Sequence, residues 1–163
     1  MAEAPAWLLT LDAELRAAVG EREMIHLVQA PALFAIPDTP PYCRHVLLWQ
    51  DEIVPVLDLA AWLRGDRAAA KPPLVGIFAY QTPTATIAYG ALPLLAAPAR
   101  RRVSDDQACA LPEQPPGWAR VALSCFREGD RPVPILDLPC LFSRALPHDI
   151  HPLAETEQGA IRQ

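Results

Sequence analysis

One short segment of this sequence occurs twice, 79 residues apart, the distance from Pro55 to Pro134. The two copies are Ile53-Val54-Pro55-Val56-Leu57-Asp58-Leu59 and Pro132-Val133-Pro134-Ile135-Leu136-Asp137-Leu138. Each copy follows a short charged turn and precedes a short apolar segment. In a chain of 163 residues, such self-similarity indicates one architecture that is built twice. The repeat therefore favours two similar sub-barrels over a catalytic domain.

The distribution of proline and of apolar runs predicts many short strands. The chain has 19 prolines, more than twice the usual share of about 5%, and they separate apolar runs that long helices would not tolerate. Short polar turns divide these runs into three predicted hairpins: 46–49 with 53–57, 74–80 with 85–89, and 121–126 with 133–136. Because Pro55 cannot donate to a strand ladder, its strand is predicted at a sheet edge or with a bulge. The pattern is typical of an all-β barrel or sandwich.

The segments outside these hairpins are less regular. Residues 11–19 favour a helix by composition, yet a strand returning from residues 7–11 is equally compatible with the pattern. The stretch 96–118 is polar and proline-rich and is predicted to be a long connection. A single domain is expected over residues 7–145, and residues 146–163 are expected to form a partly disordered tail or a short helix.

Charge and cysteine usage limit the classes of partner. The net charge is −5, which gives no support for nucleic-acid binding, and the basic run Arg100-Arg101-Arg102 is predicted to be a solvated loop. The four cysteines show no metal-type or disulfide-framework spacing, so reduced thiols are expected. No leader segment or long apolar run is present, which predicts a cytoplasmic protein without direct membrane insertion.

Asp58 and Asp137 occupy the same place in the two copies of the repeat. Two carboxylates could form an acid–base pair, but each stands between a β-rich run and a short apolar segment. An aspartate at such a junction accepts hydrogen bonds from the free N–H groups of a first helical turn. Pro139 supports this interpretation, since proline is well tolerated there. Both residues are therefore predicted to be structural caps of short helices that plug the ends of the barrels.

Other residues that could carry chemistry do not form a recognisable site. His148 and His151 have a spacing compatible with metal, but no third ligand is near in sequence. Cys43 and His45 lack an accompanying acidic residue or oxyanion loop. Phosphate-binding and dinucleotide motifs are absent, so no catalytic residue, metal or cofactor is predicted. Trp49 stands at a predicted hairpin tip, where it is either a core residue or an exposed interface anchor.

With these motifs, nearly the whole chain resembles the CheW family of chemotaxis coupling proteins, which includes PilI-like members. Glu23 lies where the family has the Glu of its V-x-E-I segment, and residues 36–42 resemble its proline-rich approach. The segment 53–59 matches the family's P-V-[IV]-D-L end, and 133–138 resembles the closing strand and helix of its second subdomain.

The resemblance implies two SH3-like β-barrel subdomains around a shared core, with short helices after the two repeated strands. It also implies that residues 8–11 and 15–19 form a strand pair, against the helix propensity of the second. The implied function is a non-enzymatic adaptor that couples a chemoreceptor-type sensor to a CheA-type histidine kinase, in chemotaxis or in a type IV pilus array.

The chain departs from the family where receptor contact is implied. The family's N-L-R-G becomes Leu48-Trp49-Gln50-Asp51, a preceding glycine becomes His45, and Gly90 follows Ala88-Tyr89 where many members have Val-Asp. Gln50 lacks the planar guanidinium that Arg offers to a partner. The expected partner-binding residues are Glu23, Val46, Leu48, Trp49, Gln50 and Asp51. The alternative function is a diverged barrel that acts as a regulatory partner or binds a small ligand outside chemotaxis.

Overall fold

The computed structural model describes residues 3–143. Within that range the chain forms eleven strands, three short α-helices and a 3-10 turn at Asp105–Gln107. The strands are β1 (Glu3–Thr10), β2 (Arg16–Gly20), β3 (Met24–Gln29), β4 (Phe34–Ala35), β5 (His45–Trp49), β6 (Glu52–Val56), β7 (Leu74–Gln81), β8 (Ile87–Leu94), β9 (Ala99–Ser104), β10 (Ala122–Glu128) and β11 (Arg131–Leu136). The helices are α1 (Leu59–Arg64), α2 (Trp118–Val121) and α3 (Leu138–Phe142).

The strands form two curled sheets that resemble SH3-like barrels, which confirms the predicted fold class. The first barrel is the six-stranded sheet, with the order β3-β7-β8-β6-β5-β4. The second barrel is the five-stranded sheet, with the order β10-β11-β2-β1-β9. The second barrel therefore combines strands from both ends of the described chain, whereas the strands of the first barrel, β3 to β8, follow one another in sequence. The three predicted hairpins are present as β5–β6, β7–β8 and β10–β11.

The N-terminal segment with helix-forming composition is a strand. β2 pairs antiparallel with β1, and Ala17, Ala18 and Val19 in succession are all buried. Consecutive buried residues need a strand that is covered on both faces: Ala17 and Val19 pack in the central core, and Ala18 packs on the other side in the cluster with Phe126 and Val133. The turn before β2 is closed by Asp12, whose Oδ1 accepts hydrogen bonds from the backbone N–H of Glu14 at 2.8 Å and Leu15 at 2.7 Å. Tertiary packing overrides the local helix propensity.

The sequence repeat is reproduced in backbone hydrogen bonds. The N–H of Asp58 donates to the carbonyl of Tyr42 at 2.8 Å, and the N–H of Asp137 donates to the carbonyl of Val121 at 2.8 Å. Tyr42 and Val121 are also separated by the repeat spacing. Each repeated strand makes one parallel bridge, Val56 with Ala91 in the first barrel and the equivalent Ile135 with Ala18 in the second. The two halves thus share one local architecture.

The short helices pack into one core that joins the two barrels. The main buried cluster contains Leu59 and Trp62 of α1, Trp118 of α2, and Leu138 and Leu141 of α3, together with residues of both sheets. The helices therefore bury their apolar residues in a core that is shared by both sheets, as the predicted shared core requires.

The predicted long connection at 96–118 contains a strand. β9 pairs with β1 over six positions, and its three arginines are not a solvated loop. Arg100 pairs with Glu21 and lies over the Trp7 ring at 5.7 Å, while the other two arginines pair with Glu128 and Glu3. A polar, charged strand at the edge of a sheet lacks the apolar alternation that identifies a strand in sequence, and such charges discourage pairing with other chains.

Pro55 lies in a strand that is neither at an edge nor bulged. β6 lies between β5 and β8, and its pairing with β5 shows no register shift. Hydrogen-bonded and non-hydrogen-bonded pairs alternate along an antiparallel hairpin. Counted from the closing pair of Trp49 and Glu52, the pair of Val46 and Pro55 is a non-hydrogen-bonded one, so the Pro55 nitrogen points away from β5. On that other side, β6 pairs with β8 only at Val56. Proline is tolerated here because no neighbouring strand requires its missing N–H.

Candidate functional site

An apolar surface lies on the outward side of β4, β5 and β6. The strand register places five side chains on one face, which we call the outer face: Phe34, Val46, Leu48, Ile53 and Pro55. Phe34 is 51% exposed, Leu48 60% and Ile53 70%. The opposite side of the same strands is buried in the first barrel through Leu47, Val54 and Val56. Clustered exposed apolar side chains of this kind mark interaction surfaces more often than scattered single ones.

The β5–β6 turn adjoins the outer face. Gln50 and Asp51 form a two-residue loop in which both residues have positive φ, 49° and 64°. This is the backbone of a type I′ turn, whose twist matches that of the flanking strands and which favours Asn-Gly. Gln50 has a Cβ that disfavours this conformation, so the turn carries backbone strain.

Replacing Gln50-Asp51 by Asn-Gly is expected to stabilise the protein by about 1 kcal/mol, because both residues adopt positive φ at low cost. Urea unfolding measures the change, and Gln81→Asn on β7 serves as a control outside the turn. A double variant that is no more stable than the wild type would contradict the turn assignment.

Trp49 lies on the inner side of the hairpin, which favours the core role of the two that the sequence left open. Its side chain is half-buried and packs against the inner cluster of the first barrel. Its ring lies edge-on to Tyr89, with ring centroids 5.3 Å apart, and tilted against His26 at 6.1 Å. Trp49 therefore anchors the end of the hairpin from the inner side, while Leu48 and Val46 point outward. It supports the outer face without belonging to it.

Glu23 lies apart from the hairpin, directly before β3. Its Oε1 accepts a hydrogen bond from the backbone N–H of Gly20 at 2.8 Å, which closes the β2–β3 turn. Burial raises the pKa of the Glu23 carboxyl, the Gly20 hydrogen bond opposes this, and the nearby Asp137 carboxylate adds to the increase. The structure places Val46 and Leu48 on the outer face of β5 and Gln50 and Asp51 at the turn that follows it, and it does not bring Glu23 to them.

Asp58 and Asp137 are the N-cap residues of α1 and α3. Oδ1 of Asp58 accepts from the N–H of Ala61 at 3.0 Å, and Oδ1 of Asp137 accepts from the N–H of Cys140 at 3.2 Å. Asp58 is only 8% exposed, and its Oδ2 also accepts from the N–H of Ala69 at 2.9 Å. Each carboxylate accepts hydrogen bonds from backbone N–H groups near it and not from the other aspartate, so the two do not form an acid–base pair.

Asp58→Ala is expected to destabilise the protein by about 2 kcal/mol, because two backbone N–H groups lose their acceptor in a buried setting. Asp137→Ala removes one bond to its helix and is expected to cost about 1 kcal/mol. Urea unfolding of both variants measures the difference. Equal losses would contradict the additional role of Asp58 in holding the segment after α1.

Within residues 3–143, no group of three or more His, Cys, Asp and Glu side chains comes together in a metal-binding arrangement. His148 and His151, the weak metal pair of the sequence, lie outside the described residues, as does the expected tail. In the described part of the chain, no helix is long and apolar enough to cross a bilayer. What the described surface offers is a face for contact with a partner.

Comparison with known proteins gives the family and supports the fold. The model of the CheW-like domain matches residues 7–146. The chain belongs to the CheW-like family. The fold is similar to that of the scaffolding protein TtCheW from Thermoanaerobacter tengcongensis, with a TM-score of 0.66 and 17% identity over 88% of this chain and 90% of that chain. No curated protein matches the sequence. CheW-like scaffolds are non-catalytic coupling adaptors in chemotaxis signalling.

The outer face of this CheW-like protein contains residues that the sequence pattern did not single out. Phe34, Ile53 and Pro55 lie on it beside the expected Val46 and Leu48. The sequence could have pointed to Ile53, because a two-residue loop at 50–51 makes Ile53 the direct cross-strand neighbour of Leu48. Phe34 had none, because β4 has only two residues and too little sequence to show alternation.

Proposed function

We propose that this CheW-like protein is a non-enzymatic adaptor that couples a chemoreceptor-type sensor to a CheA-type histidine kinase, in a chemotaxis or type IV pilus array. Membership of the family over most of the chain supports the adaptor role. The observation that carries the proposal is the outer face, because a folded protein rarely leaves three large apolar side chains so exposed on adjacent strands without a partner.

The regulatory domain of the kinase is the proposed partner of the outer face. Leu48 and Ile53 are direct cross-strand neighbours, so a single apolar pocket can cover both. Because β4 ends the sheet order of the first barrel, an incoming strand or loop has access to this side. Buried aromatic and aliphatic anchors carry most of the binding energy in such interfaces.

Receptor contact is proposed to differ from that of family members with N-L-R-G. Gln50 and Asp51 form the exposed tip of the turn, and neither can donate the bidentate hydrogen bonds of an arginine. A partner site for this turn would therefore present hydrogen-bond donors to the Asp51 carboxylate. It would not need the carboxylates that bind the arginine of N-L-R-G. The kinase remains the partner proposed for the adjacent apolar surface.

Titration of the full chain with the regulatory domain of its cognate kinase tests the proposal. Binding with a Kd of about 10 μM or tighter is expected, in the range of transient signalling contacts. The same titration with an unrelated SH3-like barrel is the control. Absence of binding at tens of micromolar would contradict the adaptor role, and stabilisation by a metabolite instead would favour the ligand-binding alternative.

A further inference from the structure

A pair of cysteines lies at the seam of the second barrel. β9 and β10 are the two ends of this sheet, and the chain after β9 returns to pair with β10 through the antiparallel bridge between Ala108 and Phe126. This register places Cys109 directly opposite Cys125. The N–H of Cys109 donates to the carbonyl of Cys125 at 3.0 Å, and the two Sγ atoms are 3.5 Å apart.

The backbone around this pair fits a disulfide. Residues opposite each other at a hydrogen-bonded antiparallel position have Cα atoms about 5.5 Å apart. Disulfides span Cα distances of about 4.4–6.8 Å, so the cross-link needs no movement of the strands. The two sulfurs would have to approach by about 1.5 Å to reach bonding distance, which rotation of the side chains can provide.

The two thiols differ in their surroundings. Cys125 is 4% exposed, and burial, together with the neighbouring Cys109, raises the pKa of its thiol to about 12. Cys109 is half-buried, so a reagent from solvent reaches this sulfur more easily. A cavity of about 310 Å³, lined by Cys125 with Ser104, Asp105 and Ser124, leaves space for side-chain rotation. These surroundings assign Cys109 as the attacking thiol and Cys125 as the resolving one.

We propose that Cys109 and Cys125 are a modification site that forms a reversible disulfide with a low-molecular-weight disulfide, such as glutathione disulfide, as the oxidant. The Cys109 thiolate attacks one sulfur of the oxidant and releases one thiol. Cys125 then loses its proton to solvent and attacks Sγ of Cys109, which releases the second thiol. The protein gives up two electrons and two protons, and the oxidant is reduced to two thiols.

The cross-link would close the seam of the second barrel covalently. Other contacts across this seam are exposed, such as the hydrogen bond from Gln107 Nε2 to the Arg127 carbonyl at 3.2 Å and the pair of Arg101 with Glu128 at 3.0 Å. The two cysteines are 16 residues apart in sequence, and the chain between them carries α2. Closing a loop of this size restricts the unfolded chain, and a rise in Tm of about 5–10 °C is expected.

Oxidation of the reduced full chain with glutathione disulfide tests the site. The free thiol count of the unfolded, oxidised protein is expected to fall from four to two. Peptide mapping is expected to recover Cys109 linked to Cys125 within one chain, and dithiothreitol is expected to restore the original Tm. A stable glutathione adduct without the internal link, a link that includes Cys43 or Cys140, or a link between chains would overturn the proposal.

Two variants separate this site from the other cysteines. Cys43→Ala with Cys140→Ala retains the pair and is expected to gain the same Tm on oxidation, whereas Cys109→Ser is expected to gain none. A Tm increase that survives in Cys109→Ser would overturn the assignment. The peptide map of the oxidised wild type identifies the linked cysteines even if a variant folds poorly. The result is independent of kinase binding, so failure here leaves the proposed adaptor function untouched.

Discussion

Ile53→Asp is expected to weaken binding to the kinase regulatory domain at least about 100-fold while leaving the fold intact. Ile53 is 70% exposed on the outer face, so a carboxylate there is hydrated in the free protein. In the complex the same carboxylate would be buried against apolar groups without a partner, which costs several kcal/mol. Isothermal titration measures the affinity, and urea unfolding verifies that stability changes by less than about 1 kcal/mol.

Leu123→Asp is the matched control for this variant. Leu123 is 66% exposed and lies on β10 of the second barrel, so the substitution adds the same charge to an equally exposed strand residue. Its binding to the kinase domain is expected to stay within about twofold of the wild type. Equal loss of affinity in the two variants would refute the assignment of the outer face, as would full binding by Ile53→Asp.

Gly90→Ala is expected to destabilise the protein by about 3 kcal/mol. A Cβ at Gly90 would lie 2.5 Å from Cδ1 of Phe142, well inside any van der Waals contact. The Phe142 ring is stacked on Tyr80, with centroids 5.5 Å apart, so relief of the clash requires this ring to leave its place. Overpacking of this kind costs about 1–3 kcal/mol, and the lost stacking adds to it. Urea unfolding with an unchanged m-value measures the loss.

Removing the ring tests the cause of that loss. In a Phe142→Ala background, Gly90→Ala is expected to cost less than about 1 kcal/mol, because the space that the new methyl group needs is then free. Gly76→Ala is a second glycine substitution in the same sheet, where the nearest side-chain atoms would lie 3.0 Å away on Phe78. If the Gly90 variant is equally unstable with and without the Phe142 ring, the clash is not the cause.

The Gly90 contact also explains one departure from the family pattern. The resemblance leads one to expect Val-Asp after Ala88 and Tyr89, and no neighbouring residue in the sequence accounts for Gly90 there. The structure pairs it with Phe142, about fifty residues later, since only a residue without a side chain leaves room for this ring. Because Gly90 and Phe142 are far apart in sequence, no local sequence pattern indicates that they are in contact.

Local signals predicted the elements that depend on neighbouring residues. The hairpin β5–β6 follows from apolar runs around a short turn, and the helices α1 and α3 follow from an aspartate after a strand. The strand β9 was missed because its exposed arginines carry no alternation of apolar residues. The strand character of β2 needed the family resemblance, because its alanines are helix formers in isolation.

The surface proposed for binding was predicted only in part. The sequence pointed to the end of the β5–β6 hairpin through its departure from N-L-R-G, and four of the expected residues do lie there. Glu23 was grouped with them by family position, although its carboxylate closes a turn with Gly20 elsewhere. Trp49 was left between two roles, and the register decides that its ring faces the barrel interior.

By itself, the sequence determined the duplicated architecture, the two capping aspartates and the family, because each can be recognised from short sequence segments such as the repeated P-[VI]-L-D-L run. Only the tertiary structure decided which side chains share a face, which glycine accommodates a distant ring and which cysteines are neighbours. Those properties depend on strand register and on pairing between segments far apart in sequence, and a shift of one residue in register would turn every side chain to the other face.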